Sequence, residues 1–282
     1  MTTIALLGTG LLGAAMAENL LAKGNQVRVW NRSAAKLEPL ARRGAIACKD
    51  PAECVRGAAR VHLVLAEDAA VDAVVAQLTP GLGKDVPICD HSTNLPAKVA
   101  ARAATLRKAG VRYVAAPVFM SPQNAREASG LMLLAGPARE TALLEPQLAA
   151  MTGKVWSIGE RFDLAAVYKL AGNSLFFVLA SALADIFAMG RNNDVDPATM
   201  LKLFDVFKPG AALPFIGQRV LAPTDGPASF ELAMARKDAR LMIETAGRQH
   251  LQVLPAVAAA MDEAIARGLG NADFATFAQP RR

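Results

Sequence analysis

Ile4-Ala5-Leu6-Leu7-Gly8-Thr9-Gly10-Leu11-Leu12-Gly13 carries a short apolar run into a GxGxxG spacing, and a helix-like pattern, Leu12–Lys23, follows. Strand, glycine turn and helix is how a parallel α/β sheet begins. The first glycine permits the tight turn, the second lets a pyrophosphate approach the backbone, and the third lets the helix pack closely on the strand. The helix N-terminus adds attraction for phosphate charge. A glycine-rich turn alone is common; placed between this strand and this helix it reads as a dinucleotide-binding turn. Gly8, Gly10, Leu11, Leu12 and Gly13 are its expected cofactor contacts.

Working outward, apolar runs recur at Val27–Trp30, Val61–Leu65, Ile88–Asp90, Tyr113–Ala115, Leu131–Ala135 and Val155–Ile158. Helical patterns separate them at Ala34–Arg42, Ala69–Leu78, Ala97–Lys108 and Ala138–Ala150. Strands alternating with helices of this length imply βαβ units and a parallel sheet. No strand-like alternation returns after Ile158. Asp163 is placed to cap a long helix running toward Gly190, and further helices are expected at Pro197–Phe207, Glu231–Arg248 and Pro255–Arg267. The expected architecture is an α/β N-terminal Rossmann domain over residues 1–162 and an all-helical C-terminal domain over 163–282, joined by that long interdomain helix. The helix is apolar nearly all round, which predicts burial between other helices.

Composition narrows the function classes. The chain has 282 residues, 53% of them hydrophobic and 20% charged, which is the balance of a globular protein rather than a disordered one. Its net charge is 31 − 25 = +6, but Lys and Arg are scattered with no run of five like charges, so no nucleic-acid partner is expected. Cys48, Cys54 and Cys89 form no CxxC pair, and His62, His91 and His250 lie far apart, so no metal site or disulfide framework is expected. The N-terminus lacks a basic signal region, and the most apolar stretch, Ser174 to Ala184, is shorter than the ~20 residues a membrane span needs. These features predict a cytoplasmic chain with no membrane partner.

The end of the second strand bears on cofactor choice. A carboxylate there takes the ribose hydroxyls of NAD. Here the residues are Asn31-Arg32-Ser33. Nothing repels a 2′-phosphate, Arg32 offers it a planar fork, and Asn31 and Ser33 add neutral hydrogen bonds, so NADP(H) is expected.

Three further stretches join the turn. His91-Ser92-Thr93-Asn94-Leu95-Pro96 follows a buried strand at its carboxyl end, where ligands sit in open α/β sheets. Lys169 and Asn173, in Tyr168-Lys169-Leu170-Ala171-Gly172-Asn173, are spaced i, i+4 and share one helix face. Lys237-Asp238 lies early in a later helix. Taken together over nearly the whole chain, these resemble the β-hydroxyacid dehydrogenase family, which includes 3-hydroxyisobutyrate dehydrogenase, tartronate semialdehyde reductase and the glyoxylate/succinic semialdehyde reductases. The resemblance implies that Thr93 lies near the nicotinamide ribose, that Lys169 is the catalytic general acid/base and that Asn173 binds substrate. It also assigns Leu65, Ala66 and Lys237 to the cofactor side. The implied activity is hydride transfer between nicotinamide and a small aldehyde, ketone or β-hydroxy acid, in a homodimer or homotetramer.

A lysine on an apolar helix suits acid–base work. Charged, it can protonate a developing alkoxide; burial lowers its pKa and equips it for the reverse direction. Relatives built as imine reductases often carry Asp or Tyr at this position, and others that have lost the lysine serve as cofactor-binding scaffolds. An imine reductase-like enzyme and a non-catalytic NADP-binding scaffold are therefore the alternatives.

One segment departs from the family pattern. The substrate loop usually reads Asp-Ala-Pro-Val-Ser-Gly-Gly, whereas this chain has Ala115-Ala116-Pro117-Val118-Phe119-Met120-Ser121. Phe119 and Met120 occupy the positions whose hydroxyl and N–H groups hold a substrate carboxylate in the family, and Ser121 is the nearest hydroxyl. Phe119, Met120 and Ser121 are therefore expected to line the substrate site and to favour a larger or less polar substrate.

Overall fold

The apolar runs become a nine-stranded sheet in a computed structural model that describes residues 1–221 and 227–279. Its strands are β1 (Thr3–Leu7), β2 (Gln26–Trp30), β3 (Ile46–Ala47), β4 (Arg60–Leu63), β5 (Ile88–Asp90), β6 (Tyr113–Ala115), β7 (Val118–Phe119), β8 (Gly130–Ala135) and β9 (Gly153–Gly159). The order is β3-β2-β1-β4-β5-β6-β8-β7, with β9 also paired to β8. Pairing is parallel from β3 through to β6, turns antiparallel where β8 meets β6 and β7, and is parallel again between β8 and β9.

Helices lie between these strands: α1 (Leu11–Ala22), α2 (Glu38–Ala41), α3 (Pro51–Val55), α4 (Asp68–Leu78), α5 (Pro96–Lys108), α6 (Pro122–Glu127) and α7 (Ala138–Thr152). Both faces of the sheet are covered, which is why β1 reads as an unbroken apolar run. Ile4 and Leu6 join one core with Met16, Leu20 and Val29, while Ala5 and Leu7 join another with Val61, Leu63 and Tyr113.

Four short elements escape a periodicity reading. β3 and β7 have two residues each, too few to show alternation. α3 and α6 have five and six, but both begin at a capping residue followed by proline, Asp50-Pro51 and Ser121-Pro122. The single helix expected over Ala34–Arg42 is instead a 3₁₀ turn, Ala34–Leu37, leading into α2, with Pro39 removing a helical N–H donor where the two meet.

The chain resolves into two compact units, Met1–Asn173 and Ser174–Arg282, so the division falls inside the long helix and not at its start. That helix, α8, runs unbroken over Leu164–Arg191. Two expectations about it need correcting. The apolar span is not limited to Ser174–Ala184: the 28 residues of the helix are long and apolar enough to cross a membrane by length and composition alone, a test that core helices of soluble proteins also pass. Nor is it buried throughout: Phe176 is 61% and Phe177 71% exposed in the single chain. An apolar sequence predicts that a surface is covered without saying which atoms cover it.

In the second unit α9 (Pro197–Leu201), α10 (Leu203–Val206), α11 (Leu213–Leu221), α12 (Leu232–Ala246) and α13 (Leu254–Ala264) follow. Leu232, Ala235 and Ala239 of α12 pack on Ala258, Met261 and Ala264 of α13. Asp185 of α8 is buried and accepts from the N–H groups of Gln252, Val253 and Leu254, which satisfies the first turn of α13. The expectation of an all-helical second half holds among the described residues, with one isolated bridge between Glu231 and Asp273.

Candidate active site

The glycine turn is held by what its residues lack. Gly8 sits at φ +101°, and a Cβ there would lie 2.2 Å from the Val64 carbonyl oxygen. At Gly13 a Cβ would lie 1.9 Å from the Gly8 carbonyl oxygen, so this position lets α1 approach the turn. A Cβ at Gly10 would meet nothing within 4 Å and would point into open space at the helix N-terminus. Close backbone packing at Gly8 and Gly13 thus shapes the turn, and Gly10 leaves the space at the helix N-terminus open, the cradle a dinucleotide pyrophosphate needs. Leu11 is exposed beside it and Leu12 is half-buried.

Beyond β2, Asn31 braces the turn: its Oδ1 accepts from the Thr9 N–H at 3.1 Å and its Nδ2 donates to the Ser33 carbonyl at 3.1 Å. Arg32 and Ser33 are exposed. A groove beside the turn is lined by Thr9, Gly10, Leu11, Ala14, Glu18 and Lys36, among others. Lys36 is a cation that sequence reasoning passed over; its closeness in sequence to Arg32 was the available signal.

The turn after β5 presents Thr93 outward by holding its neighbours inward. Asp90, fully buried, accepts from the Ser92 N–H (2.9 Å), Asn94 Nδ2 (2.8 Å) and the Tyr113 hydroxyl (2.7 Å). Desolvation raises the Asp90 pKa above the usual carboxylate value, opposed only in part by the hydrogen bonds from Tyr113 and Ser92. The Ser92 hydroxyl accepts from the Leu65 N–H at 2.9 Å, tying this turn to the one after β4. His91, Ser92 and Asn94 are buried, Leu65 is half-buried, and Thr93 and Ala66 are exposed.

Lys169 and Asn173 meet on one face of α8, as their spacing requires. Lys169 Nζ donates to Asn173 Oδ1 at 2.9 Å and lies 4.4 Å from the centroid of the Phe119 ring. Lys169 is half-buried, and desolvation holds its pKa below that of an ordinary lysine. The ring packs on the helix at Gly172, where a Cβ would come within 2.3 Å of Phe119 Cζ. The ammonium is thus held between an amide oxygen and an aromatic face, which stabilise its charged form as burial opposes it.

The other loop residues do different things. Met120 turns back against Gly130 and packs on the core that includes Met16 and Leu134. Ser121 caps α6: its hydroxyl accepts from the Asn124 N–H (3.1 Å) and donates to Asn124 Oδ1 (2.6 Å), while its own N–H donates to the same Oδ1 (3.0 Å). Helix α6 in turn docks on α1, through Asn19 Nδ2 to the Arg126 carbonyl (2.8 Å) and an Arg126–Glu18 ion pair (2.7 Å). Lys237 belongs to the second unit, on α12, with its Nζ 2.8 Å from Asp238 Oδ1. Among the described residues no cluster of His, Cys, Asp and Glu could hold a metal ion.

A parallel sheet with a cradle for pyrophosphate and a half-buried lysine beside the loop after β6 defines a class, the dinucleotide-dependent oxidoreductases. Residues 3–159 match the family described as the NAD binding domain of 6-phosphogluconate dehydrogenase. A 3-hydroxyisobutyrate dehydrogenase of Pseudomonas aeruginosa is 31% identical, over 71% of this chain and 68% of that one. Glyoxylate/succinic semialdehyde reductase 1 of Arabidopsis thaliana is 28% identical, over 96% of this chain and 95% of the relative. The imine reductase of Myxococcus stipitatus, solved in complex with NADP+, is similar in fold, with a TM-score of 0.87 at 20% identity and 98% of each chain covered. The chain belongs to this family, among the relatives named as hydroxyacid dehydrogenases and semialdehyde reductases.

Proposed function

We propose that this chain is an NADP-dependent reductase or dehydrogenase acting on a small aldehyde, ketone or β-hydroxy acid, with Lys169 as its general acid/base. The observation that carries the reading is the Lys169–Asn173 pair, half-buried on one helix face with the Phe119 ring against the ammonium. Gly8, Gly10 and Gly13 would hold the pyrophosphate, Arg32, Ser33 and Lys36 the 2′-phosphate, and Leu65, Ala66 and Thr93 the nicotinamide side; Lys237 is assigned to the cofactor by resemblance. When bound, the cofactor supplies or takes the hydride. Lys169 delivers a proton from Nζ to the oxygen of the reduced carbonyl, and Asn173 Oδ1 orients that Nζ. Desolvation of Lys169 brings its neutral form within reach, which the oxidation direction requires.

The loop favours a substrate that is less polar than a small carboxylate. Phe119 offers an aromatic face, Met120 is turned into the core, and the Ser121 hydroxyl is engaged in capping α6. Exposed apolar residues of α8, Leu175 to Leu179, favour a homodimer or homotetramer in which they are covered. We read the protein as cytoplasmic, with a small-molecule substrate and neither nucleic acid nor membrane as partner.

The test is an NADPH-oxidation screen of the full chain across aldehydes, keto acids and cyclic imines, with Lys169→Ala as control. Turnover of a carbonyl that disappears in the variant supports the reading. Turnover confined to imines and indifferent to Lys169 replaces it with the imine-reductase alternative, and cofactor binding without any turnover leaves a scaffold.

A further inference from the structure

Beneath the site lie two histidines that the reaction does not use. His62 of β4 and His91 at the end of β5 are 0% and 3% exposed, with near-parallel rings and His62 Nδ1 2.8 Å from His91 Nε2. The groups at either end settle which nitrogen carries each proton. Arg60 Nε, which can only donate, lies 2.9 Å from His62 Nε2. That nitrogen must accept, so the His62 proton is on Nδ1 and points at His91 Nε2. His91 Nε2 accepts in turn, so its proton is on Nδ1, 2.6 Å from the Ala116 carbonyl oxygen, which can only accept. The chain of three hydrogen bonds runs one way with both rings neutral, and an added proton on either ring would set N–H against N–H. Burial agrees, pushing His91 down to about 4 and His62 well below the usual histidine value.

The last acceptor is what gives the chain a consequence. Ala116 precedes Pro117, which has no N–H, so the plane of the Ala116–Pro117 peptide has the Ala116 carbonyl as its hydrogen-bonding handle. The flanking groups are fixed by backbone bonds: the Ala116 N–H donates to the Asp90 carbonyl (2.7 Å) and the Pro117 carbonyl accepts from the Leu133 N–H (2.9 Å). The peptide between them is oriented by a side chain. Two residues on, Phe119 faces Lys169 Nζ.

We propose that His91 is a positioning residue: the Arg60–His62–His91 chain orients the Ala116–Pro117 peptide and thereby the loop that sets Phe119 against Lys169. Arg60 anchors the far end, with Nη1 donating to Gln147 of α7 at 3.1 Å. The inference rests on the reading of Lys169 as the acid–base group.

Imidazole ¹H–¹⁵N spectra of the full chain test the hydrogen-bond order directly, since the sequence holds three histidines and exposed His250 serves as the internal reference. The expected result is the Nδ1–H tautomer at both His62 and His91 at neutral pH. An Nε2–H tautomer or an imidazolium at either overturns the proposal. Kinetics test the consequence. Gln at position 91 can accept from His62 and donate to Ala116, whereas Leu can do neither. His91→Leu is expected to lower kcat by about tenfold with cofactor Kd changed by less than about twofold, and His91→Gln to stay within about threefold of wild type. A Leu variant with wild-type kcat, or a Gln variant as impaired as Leu, overturns it. If the Leu variant does not fold, the spectra and the Gln variant decide. Failure of the underlying reading is distinguishable, because it appears as turnover surviving Lys169→Ala whatever the tautomers.

Discussion

The Gly8–Gly13 turn and the Ala116–Ser121 loop both follow strands of one sheet, and both depend on close approach, but by opposite means. The turn works by missing atoms: side chains at Gly8 and Gly13 would collide with backbone carbonyl oxygens. The loop works by added atoms, with Phe119 pressed on α8 at Gly172, Met120 on β8 at Gly130, and the Ser121 hydroxyl in the cap of α6. A region held by backbone sterics has few permitted sequences and keeps one ligand class. A region held by side chains from distant elements can exchange them and change its preference without changing the fold. That difference is how a chain can keep a dinucleotide-binding turn while the side chains of the loop after β6 vary.

In the proposed function cofactor affinity belongs to the turn and chemistry to the loop and Lys169, and four measurements can break or sharpen that contrast. The largest effect is expected for Lys169→Ala, with kcat falling by about 10²–10⁴-fold while cofactor affinity measured by titration is retained. In the wild type the oxidation rate should rise with pH and level off below the range of an ordinary lysine, because desolvation lowers the pKa and the neutral amine is the base; the variant should lose that limb. A parallel fall in kcat and cofactor affinity would mean that the two regions are not separable.

Arg32→Ala comes next. It should weaken NADPH by about 1.5–3 kcal/mol, the worth of a charge-assisted hydrogen bond, and leave NADH unchanged. Equal affinity of the wild type for both cofactors would remove the basis of that expectation. Gly13→Ala should cost about 1–3 kcal/mol of stability through overpacking against the Gly8 carbonyl, with weaker binding of either cofactor. A thermal melt together with a cofactor titration reads both. Unaltered values would show that α1 can shift and that the turn is more tolerant than its geometry implies.

The smallest change belongs to the loop. Phe119→Ser should raise the kcat/KM ratio of a carboxylated over a matched uncharged aldehyde by about tenfold, one hydrogen bond to a charged group, without altering cofactor affinity. A wild type that already favours the carboxylated compound by several decades would mean that some other group supplies the anion site.

How much of this was legible varied with the range of the interaction. β5 and β6 match their apolar runs, β1, β2 and β8 extend theirs by one residue and β9 by three, because apolar strands between helical patterns are local signals. Lys169 and Asn173 meet because i and i+4 share a helix face whatever surrounds the helix. The Asn31 amide spans the turn and the loop after β2, an arrangement visible only once β1 and β2 lie side by side. The destinations of Met120 and Ser121 depend on Gly130 and Asn124, and Asn124 could have been recognised from the Ser-Pro-x-Asn spacing of a capped helix.

By itself the sequence determined the α/β class, the glycine turn, the helical second half and the pairing of Lys169 with Asn173. Each follows from turn stereochemistry or helical spacing, which neighbouring residues impose on one another. Only the tertiary structure decided which loop side chain faces Lys169, which atoms of α8 stay uncovered, and that His62 and His91, twenty-nine positions apart, share one directed chain of hydrogen bonds. Those outcomes depend on how strands and helices distant in sequence come into register, and on the protons that each buried polar group must give or accept once water is gone.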